Sequence, residues 1–240
     1  MVFLNIIRCM FVRIEKIVVS LYMHLKYNSF LSLQNTLLRR CSFLVEKNFN
    51  AVKLYKCNIY NSKFIISGNN NVVIVKDSNN IINGLSVKIY GQNNFLEIRD
   101  NASIYGLRVV IRGESCHIII GKDFSENINC MLTCMGNKNY IEIGEDCMFS
   151  ENIDIWNTDS HQIMNMNGNV INYGKPIIIG NHVWIGKNCT ILKGVKIGSN
   201  SIVGMSSVVT KNIDSDSIYV GNPARKIKDN ITWNRNYTIR

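Results

Sequence analysis

An aliphatic side chain recurs at every sixth position through residues 177–210. A smaller residue stands four positions after each of the first five members of this series. Internal repeats of fixed length are typical of solenoids, and this period matches neither an isolated helix nor a single flat strand. The spacing predicts a triangular prism in which each hexad forms one face, with the aliphatic residue pointing inward and the small residue at the corner. The aliphatic residues are Ile179, Ile185, Ile191, Ile197, Val203 and Val209.

A longer repeat precedes the hexads. Four glycines 22 or 23 residues apart each begin a polar segment that leads into a short apolar run. This pattern is typical of short strands joined by tight turns, because Gly and Asn tolerate the left-handed backbone conformation. We therefore predict one all-β solenoid domain over residues 64–220. The four glycines are Gly68, Gly91, Gly113 and Gly136.

Residues 1–63 contain neither Gly nor Pro and have a different texture. Apolar residues follow helical spacing from Phe3 to Leu25, and the first 50 residues carry a net charge of +5, half of the +10 of the whole chain. We predict an N-terminal helical or mixed cap over 1–63 that covers the open end of the solenoid. The alternative is a basic amphipathic segment that contacts an anionic membrane surface. Residues 221–240 are predicted to be a short C-terminal tail that ends in a helix.

The apolar N-terminus is interrupted by charged residues, so neither a membrane-spanning helix nor a secretory signal is predicted. We expect a cytoplasmic protein, peripheral at the inner membrane face if the basic segment contacts lipid. The eight cysteines lack paired C-x-x-C units, which favours free thiols and no bound metal. The positive charge favours an anionic partner. Nucleic acid is not expected, because no aromatic-interleaved basic patch or recognition motif is present.

Residues 141–233 resemble the hexapeptide-repeat acyltransferases, most closely the branch that O-acetylates capsular, exopolysaccharide and lipopolysaccharide sugars. The resemblance implies a left-handed parallel β-helix. It also implies acetyl transfer from acetyl-CoA to a sugar hydroxyl of such a glycan or its precursor, in a homotrimer with sites between subunits. The segments that carry it are 157–161 (NTDSH), 174–186 (GKPIIIGNHVWIG), 191–194 (ILKG), 203–211 (VGMSSVVTK) and 220–226 (VGNPARK).

His161 is the candidate general base. Acetyl transfer to a hydroxyl needs a group that takes the hydroxyl proton, and a neutral imidazole does this near neutral pH. His161 lies where the hexad pattern breaks, and the resemblance places the base at this histidine. A hydrogen-bonded turn histidine is the structural alternative. Asp159 is the candidate that orients His161 or contacts the acceptor, with Asp154 and Glu151 as alternatives.

Two features after His161 depart from the regular hexad pattern. Trp184 is a bulky ring at a turn position otherwise given to small residues. The resemblance suggests that it forms a wall of the cleft for acetyl-CoA and the acceptor. Packing between coils is the alternative. The polar loop 162–176 is predicted to protrude and cover a neighbouring subunit's site.

Five further residues are candidates for acetyl-CoA binding. Gly186, Gly204 and Ser206 are small and would permit close approach of the pantetheine arm. Lys211 and Arg225 are placed by the resemblance near the CoA phosphates, which basic side chains bind well. Solvated surface charge is the alternative for these two residues.

Two alternative functions remain open. One is an N-acetyltransferase that acts on a nucleotide-linked amino sugar, which would differ only in the acceptor. The other is a non-catalytic β-helical scaffold, which would not require Asp159, His161 and Trp184 together. A γ-type carbonic anhydrase is excluded, because its metal site needs an H-x4-H pair that the four histidines do not provide.

Overall fold

A computed structural model describes residues 7–8, 29–76 and 78–238, with the side chains of all of these except residues 7, 8, 78 and 79. The described residues form strands and turns and contain no helix, so no described helix is long and apolar enough to cross a membrane. The strands stack as successive coils of a three-faced parallel solenoid. The predicted all-β solenoid class is therefore confirmed.

The strands of the first coils are, in chain order, β1 (Ile7–Arg8), β2 (Phe30–Gln34), β3 (Leu37–Arg39), β4 (Ser42–Glu46), β5 (Ala51–Tyr55), β6 (Cys57–Tyr60), β7 (Lys63–Ser67), β8 (Val72–Val75), β9 (Ser78–Asn83), β10 (Ser86–Gln92), β11 (Phe95–Ile98), β12 (Ile104–Tyr105), β13 (Arg108–Glu114) and β14 (His117–Ile120). The later strands are β15 (Ser125–Glu126), β16 (Met131–Asn137), β17 (Tyr140–Ile143), β18 (Met148–Phe149), β19 (Asp154–Trp156), β20 (Ile177–Ile179), β21 (Trp184–Ile185), β22 (Thr190–Leu192), β23 (Lys196–Ile197), β24 (Ile202–Val203), β25 (Val208–Val209), β26 (Ser217–Val220) and β27 (Arg225–Asp229).

These strands form the three faces of the solenoid. The first face is a nine-stranded sheet in the order β1-β4-β7-β10-β13-β16-β19-β22-β25, and the second is an eight-stranded sheet, β2-β5-β8-β11-β14-β17-β20-β23. The third face consists of a four-stranded sheet, β12-β9-β6-β3, and a six-stranded sheet, β15-β18-β21-β24-β26-β27. A bridge between Ser103 and Ser125 joins its two parts. Pairing is parallel except at the ends, where β1 pairs with β4 and β26 with β27 in antiparallel fashion.

The hexads form the last coils as predicted. Thr190 pairs with Val208 and Ile178 with Lys196, so one coil takes 18 residues, or three hexads. All six aliphatic residues of the series are at most 2% exposed, and the small residues four positions later are equally buried. The period of six therefore corresponds to one inward side chain per face.

The earlier coils are longer and use buried asparagines at one corner. Phe30 pairs with Ala51 and Val72 with Phe95, which gives coils of 21 and 23 residues. The Oδ1 atom of Asn71 accepts hydrogen bonds from the backbone N–H and from Nδ2 of Asn94, at 3.1 and 3.0 Å. Asn50 accepts the same two bonds from Asn71. The ladder satisfies buried corner amides that would otherwise lack partners.

The predicted cap over 1–63 is wrong for residues 30–63, which already form solenoid coils. β2 pairs with β5, and β4 pairs with β7, in the same two sheets that continue to the C-terminus. Corners in this part are made by non-glycine residues with positive φ, such as Asn35, Arg40 and Lys47, so the glycine repeat does not mark them. The predicted helix from Phe3 to Leu25 lies outside the described residues, apart from the strand at residues 7–8.

Glu126 is an unusual buried carboxylate on the third face. It is 4% exposed; its Oε1 atom accepts a 2.6 Å hydrogen bond from the backbone N–H of Tyr105, and its Oε2 atom has no partner among the described residues. Burial raises the pKa of this carboxyl group from 4.5 to about 7. The folded chain thus holds this proton more tightly than the unfolded chain does.

We expect Glu126→Gln to stabilise the protein at pH 8 by about 1–3 kcal/mol. Because the pKa of Glu126 is raised in the folded chain, the free energy of unfolding falls as pH rises from about 4.5 to about 7. Above pH 7 the carboxyl group is ionised in both states, and the full loss of stability remains. Gln is uncharged and still accepts the bond from Tyr105. Urea unfolding at pH 5 and pH 8 would measure the difference, with Glu46→Gln, at an exposed glutamate, as control. Equal gains in both variants at pH 8 would contradict the prediction.

Candidate functional site

The motif at residues 157–161 begins at one edge of the prism, directly after β19. Asn157 is fully buried there; its Oδ1 atom accepts a hydrogen bond from the backbone N–H of Met135 at 2.9 Å, and its Nδ2 atom lies 3.1 Å from Cys134 Sγ. These bonds attach the start of the motif to the preceding coil. The chain then leaves the solenoid and returns at β20.

His161 presents an exposed imidazole at this edge. Its backbone N–H donates to the carbonyl oxygen of Asp159 at 2.7 Å, and its own carbonyl accepts from Asn172 Nδ2 at 2.8 Å. Neither ring nitrogen has a hydrogen-bond partner among the described residues. The backbone of His161 is therefore held in place while its ring stays exposed.

Trp184 lies on the third face rather than at the His161 edge. It is in register with Met148 and Ile202 on the neighbouring strands and is 37% exposed. Its ring centroid is 6.0 Å from that of Trp233, with an interplanar angle of 48°. Within one chain, no hydrogen bond or ring contact joins Trp184 to His161 in the part that the structure describes.

The three small candidates follow strands of the third face. Gly186 and Gly204 come directly after β21 and β24, and Ser206 has φ +58° in the next turn. A Cβ atom on Gly186 would lie 2.8 Å from the backbone nitrogen of Met205, and one on Gly204 would overlap the side chain of Val220. Close stacking of coils therefore requires both glycines, whether or not a ligand binds beside them.

The two basic candidates lie on different edges. Lys211 follows β25 of the nine-stranded sheet and so shares the edge of Asp159 and His161. Arg225 belongs to β27 on the third face, with its guanidinium 3.1 Å from the carbonyl oxygen of Ala224. Within one chain, the candidate residues therefore form two separate groups. The edge group consists of Asp159, His161 and Lys211. The second group lies on or beside the third face and consists of Trp184, Gly186, Gly204, Ser206 and Arg225.

Comparison with known proteins identifies the family. Residues 176–211 match the family model for bacterial transferase hexapeptide (six repeats). A polysialic acid O-acetyltransferase of Neisseria meningitidis is 36% identical over 189 residues, which cover 70% of this chain and 87% of that protein. The chain belongs to the hexapeptide-repeat O-acetyltransferases.

Two solved structures support the assignment along most of the chain. The polysialic acid specific acetyltransferase NeuO has a TM-score of 0.74 and 33% identity, covering 81% of this chain and 89% of that one. The polysialic acid O-acetyltransferase OatWY has a TM-score of 0.67 and 32% identity, covering 88% and 92%. The family predicted from the sequence motifs is therefore confirmed.

In this O-acetyltransferase, Asp159 is bound by two residues that the sequence did not single out. Its Oδ2 atom accepts hydrogen bonds from Lys193 Nζ and, at 2.9 Å, from Asn172 Nδ2. Lys193 also donates to the carbonyl oxygen of Asn172 at 3.1 Å. The hydrogen bond from Lys193, followed by that from Asn172, lowers the pKa of Asp159 below its usual value. The carboxylate makes no bond to the His161 imidazole, so the orienting contact that the sequence suggested is not formed within one chain.

The loop 162–176 of the acetyltransferase presents an apolar tip. A short antiparallel bridge joins Met164 and Val170, and the backbone N–H of Ile163 donates to Asn172 Oδ1 at 2.7 Å. These contacts give the loop a defined shape without covering its side chains. The exposed apolar residues are Ile163, Met164, Met166, Ile171 and Tyr173.

The C-terminal tail docks on the third face, and the predicted terminal helix is wrong for the residues described. Trp233 is 8% exposed and stacks on His182, with centroids 4.0 Å apart; its Nε1 atom donates to the carbonyl oxygen of His182 at 2.9 Å. His182 Nδ1 lies 2.7 Å from Asp146 Oδ2, and Arg235 pairs with the same carboxylate at 2.9 Å. The tail makes these contacts from an irregular segment that follows β27. His182 is thereby accounted for structurally.

Proposed function

We propose that the chain transfers an acetyl group from acetyl-CoA to a hydroxyl group of an acidic capsular polysaccharide, with His161 as the general base. The observation that carries this proposal is the exposed imidazole of His161, held by two backbone hydrogen bonds while both ring nitrogens lack partners in the described structure. The relatives are named for polysialic acid, an acidic polymer. A net charge of +10 suits such an acceptor.

The reaction is a direct attack in a ternary complex. His161 takes the proton from the acceptor hydroxyl as its oxygen bonds to the thioester carbonyl carbon. The resulting tetrahedral oxyanion collapses, the carbon–sulfur bond breaks, and the imidazolium returns the proton to the leaving thiolate. The products are an acetyl ester on the sugar and CoA with a free thiol. Asp159, held by Lys193 and Asn172, would fix the backbone on which His161 is carried.

The donor site is proposed to lie between copies of the chain. Trp184 and its neighbouring small residues occupy a different face from His161, so a second copy would bring the two groups together. We propose a homotrimer in which His161 of one copy faces Trp184 of the next, with the apolar tip of loop 162–176 covered at the contact. Arg225 and Lys211 would bind the CoA phosphates from the two sides.

The proposed location is the cytoplasm. Five described cysteines are buried thiols outside any disulfide, as expected in a reducing compartment: Cys116, Cys130, Cys134, Cys147 and Cys189. The basic N-terminal segment would hold the enzyme at the anionic inner face of the membrane, close to nascent polysaccharide.

The test combines ligand binding with turnover on a defined polymer. Acetyl-CoA at 100 times Kd should stabilise the folded protein by about 2.7 kcal/mol and raise Tm, and 3′-dephospho-CoA should act less strongly. Release of CoA thiol with polysialic acid as acceptor should match the appearance of acetyl esters on the polymer. Absence of a Tm shift at millimolar acetyl-CoA would favour the scaffold alternative. Turnover only with a nucleotide-linked amino sugar would favour the N-acetyltransferase.

A further inference from the structure

Four basic side chains on the nine-stranded sheet have no counter-charge within the part of the chain that the structure describes. Lys63, Lys88, Arg108 and Arg112 are exposed, and none forms an ion pair with a described residue. Ser86 pairs with Lys63 on one side and with Arg108 on the other, so Lys88, two residues along the same strand, is a diagonal neighbour of both. Arg112, opposite Tyr90, is its third diagonal neighbour. We call these four residues the basic face.

A groove of about 270 Å³ adjoins the basic face at the corner of the prism. Tyr90 lines it, and the guanidinium carbon of Arg112 lies 5.2 Å from the centre of the Tyr90 ring. The stacked glycines leave the corner without side chains, which opens the groove. Its remaining polar lining comes from Lys47, Ser67, Asn69 and Gln92.

The local charge stays positive although two carboxylates flank the groove. Glu46 is in register with Ser67, and Glu114 accepts a 3.0 Å hydrogen bond from Gln92 Nε2. Lys47 and the four residues of the basic face outnumber these two acids. Clustered unpaired cations repel one another, so an anionic ligand would relieve this repulsion.

The groove and His161 lie along the same edge of the solenoid. Gly91 and Gly113 of the groove are followed in register by Gly136, and the next strand of that sheet, β19, leads into Asp159 and His161. The strand β10, which carries Tyr90, is three strands from β19. At about 4.8 Å per strand, this separation is about 14 Å along the solenoid axis.

We propose that the groove beside Tyr90 and the basic face around Lys88 form a second, non-catalytic site that binds one stretch of an acidic polysaccharide while another stretch reaches His161. The proposal rests on the acceptor class proposed above. The Tyr90 ring can stack against the apolar face of a sugar, and Lys47 and Arg112 can pair with its carboxylates. Binding at two points on one polymer raises the local concentration of acceptor hydroxyls at His161.

The experiment compares two double variants that remove the same charge. Lys88→Gln/Arg112→Gln alters the basic face, and Lys53→Gln/Lys196→Gln alters the eight-stranded sheet as the matched control. Binding of fluorescently labelled polysialic acid is measured directly, and KM is measured for long polysialic acid and for a sialic acid trimer. We expect Kd and KM for the long polymer to rise about tenfold in the basic-face variant and less than twofold in the control. The kcat value and the KM for the trimer should not change.

The outcomes separate this site from the proposed function. If the wild-type chain binds the polymer and only the basic-face variant loses binding, the second binding site is supported. If, in addition, no acetyl ester forms on the polymer, the site is still supported, but the proposed acceptor is wrong. Equal Kd values for the two double variants would overturn the site while leaving acetylation intact. Absence of polymer binding by the wild-type chain would also overturn it. Equal Tm shifts with acetyl-CoA in all three proteins establish that the variants are folded.

Discussion

His161→Ala should lower kcat about 10²–10⁴-fold, the usual share of general acid–base catalysis. The substitution removes the proposed general base, and the nearby Asp159 is a poor replacement because its carboxylate is bound by Lys193 and Asn172. The His161 ring makes no hydrogen bond to the described residues, so its loss should leave Tm and acetyl-CoA binding unchanged. Initial rates with saturating acetyl-CoA and polysialic acid would measure the effect.

Gln162→Ala is the matched control for this substitution. Gln162 is the exposed neighbour of His161 and makes no hydrogen bond to the described part of the chain, so its truncation should keep kcat within about twofold of the wild type. A His161→Ala enzyme with near-normal kcat would remove the proposed base. A loss of equal size in both variants would indicate a local structural effect instead.

The hexad coils could be predicted because each face contributes one inward side chain at a fixed interval. Ile191 and Val209 are fully buried at positions that the period of six specified, and the corners between them use small residues. The N-terminal coils follow the same architecture, but their corners also use Arg40, Lys47 and Lys56 in the left-handed conformation. Positive φ at such residues is uncommon, so the sequence carries no clear mark of these corners.

Only the part of the candidate site that lies in one short sequence motif could be predicted. The motif located His161 where the repeat breaks, but Lys193 lies 34 positions from Asp159 and meets it only because one coil stacks on another. The contact between Trp233 and His182 spans 51 positions for the same reason. The periodic sequence pattern specifies which face of the solenoid a residue occupies. Contacts between residues far apart in sequence depend instead on how far the loop or the C-terminal tail folds back.

Gly113→Ala should cost about 3–5 kcal/mol of the free energy of unfolding, a very large effect for a single methyl group. Gly113 has φ +132°, and a Cβ atom there would overlap the backbone carbonyl oxygen of Gly136 in the next coil. Gly113 and Gly136 are paired in register between β13 and β16, so neither coil can shift without breaking several parallel hydrogen bonds. Urea unfolding and Tm would measure the loss.

Gly168→Ala separates backbone strain from coil stacking. Gly168 also has a positive φ, of +78°, but an added Cβ atom there would meet nothing within 4 Å. It should therefore cost only about 1 kcal/mol, the strain of the left-handed conformation itself. The remaining difference at Gly113 measures how tightly successive coils stack, and in a solenoid that nearest-neighbour interface supplies much of the stability. If the two variants lost equal stability, strain alone would account for the glycine column, and close stacking of the coils would not be its cause.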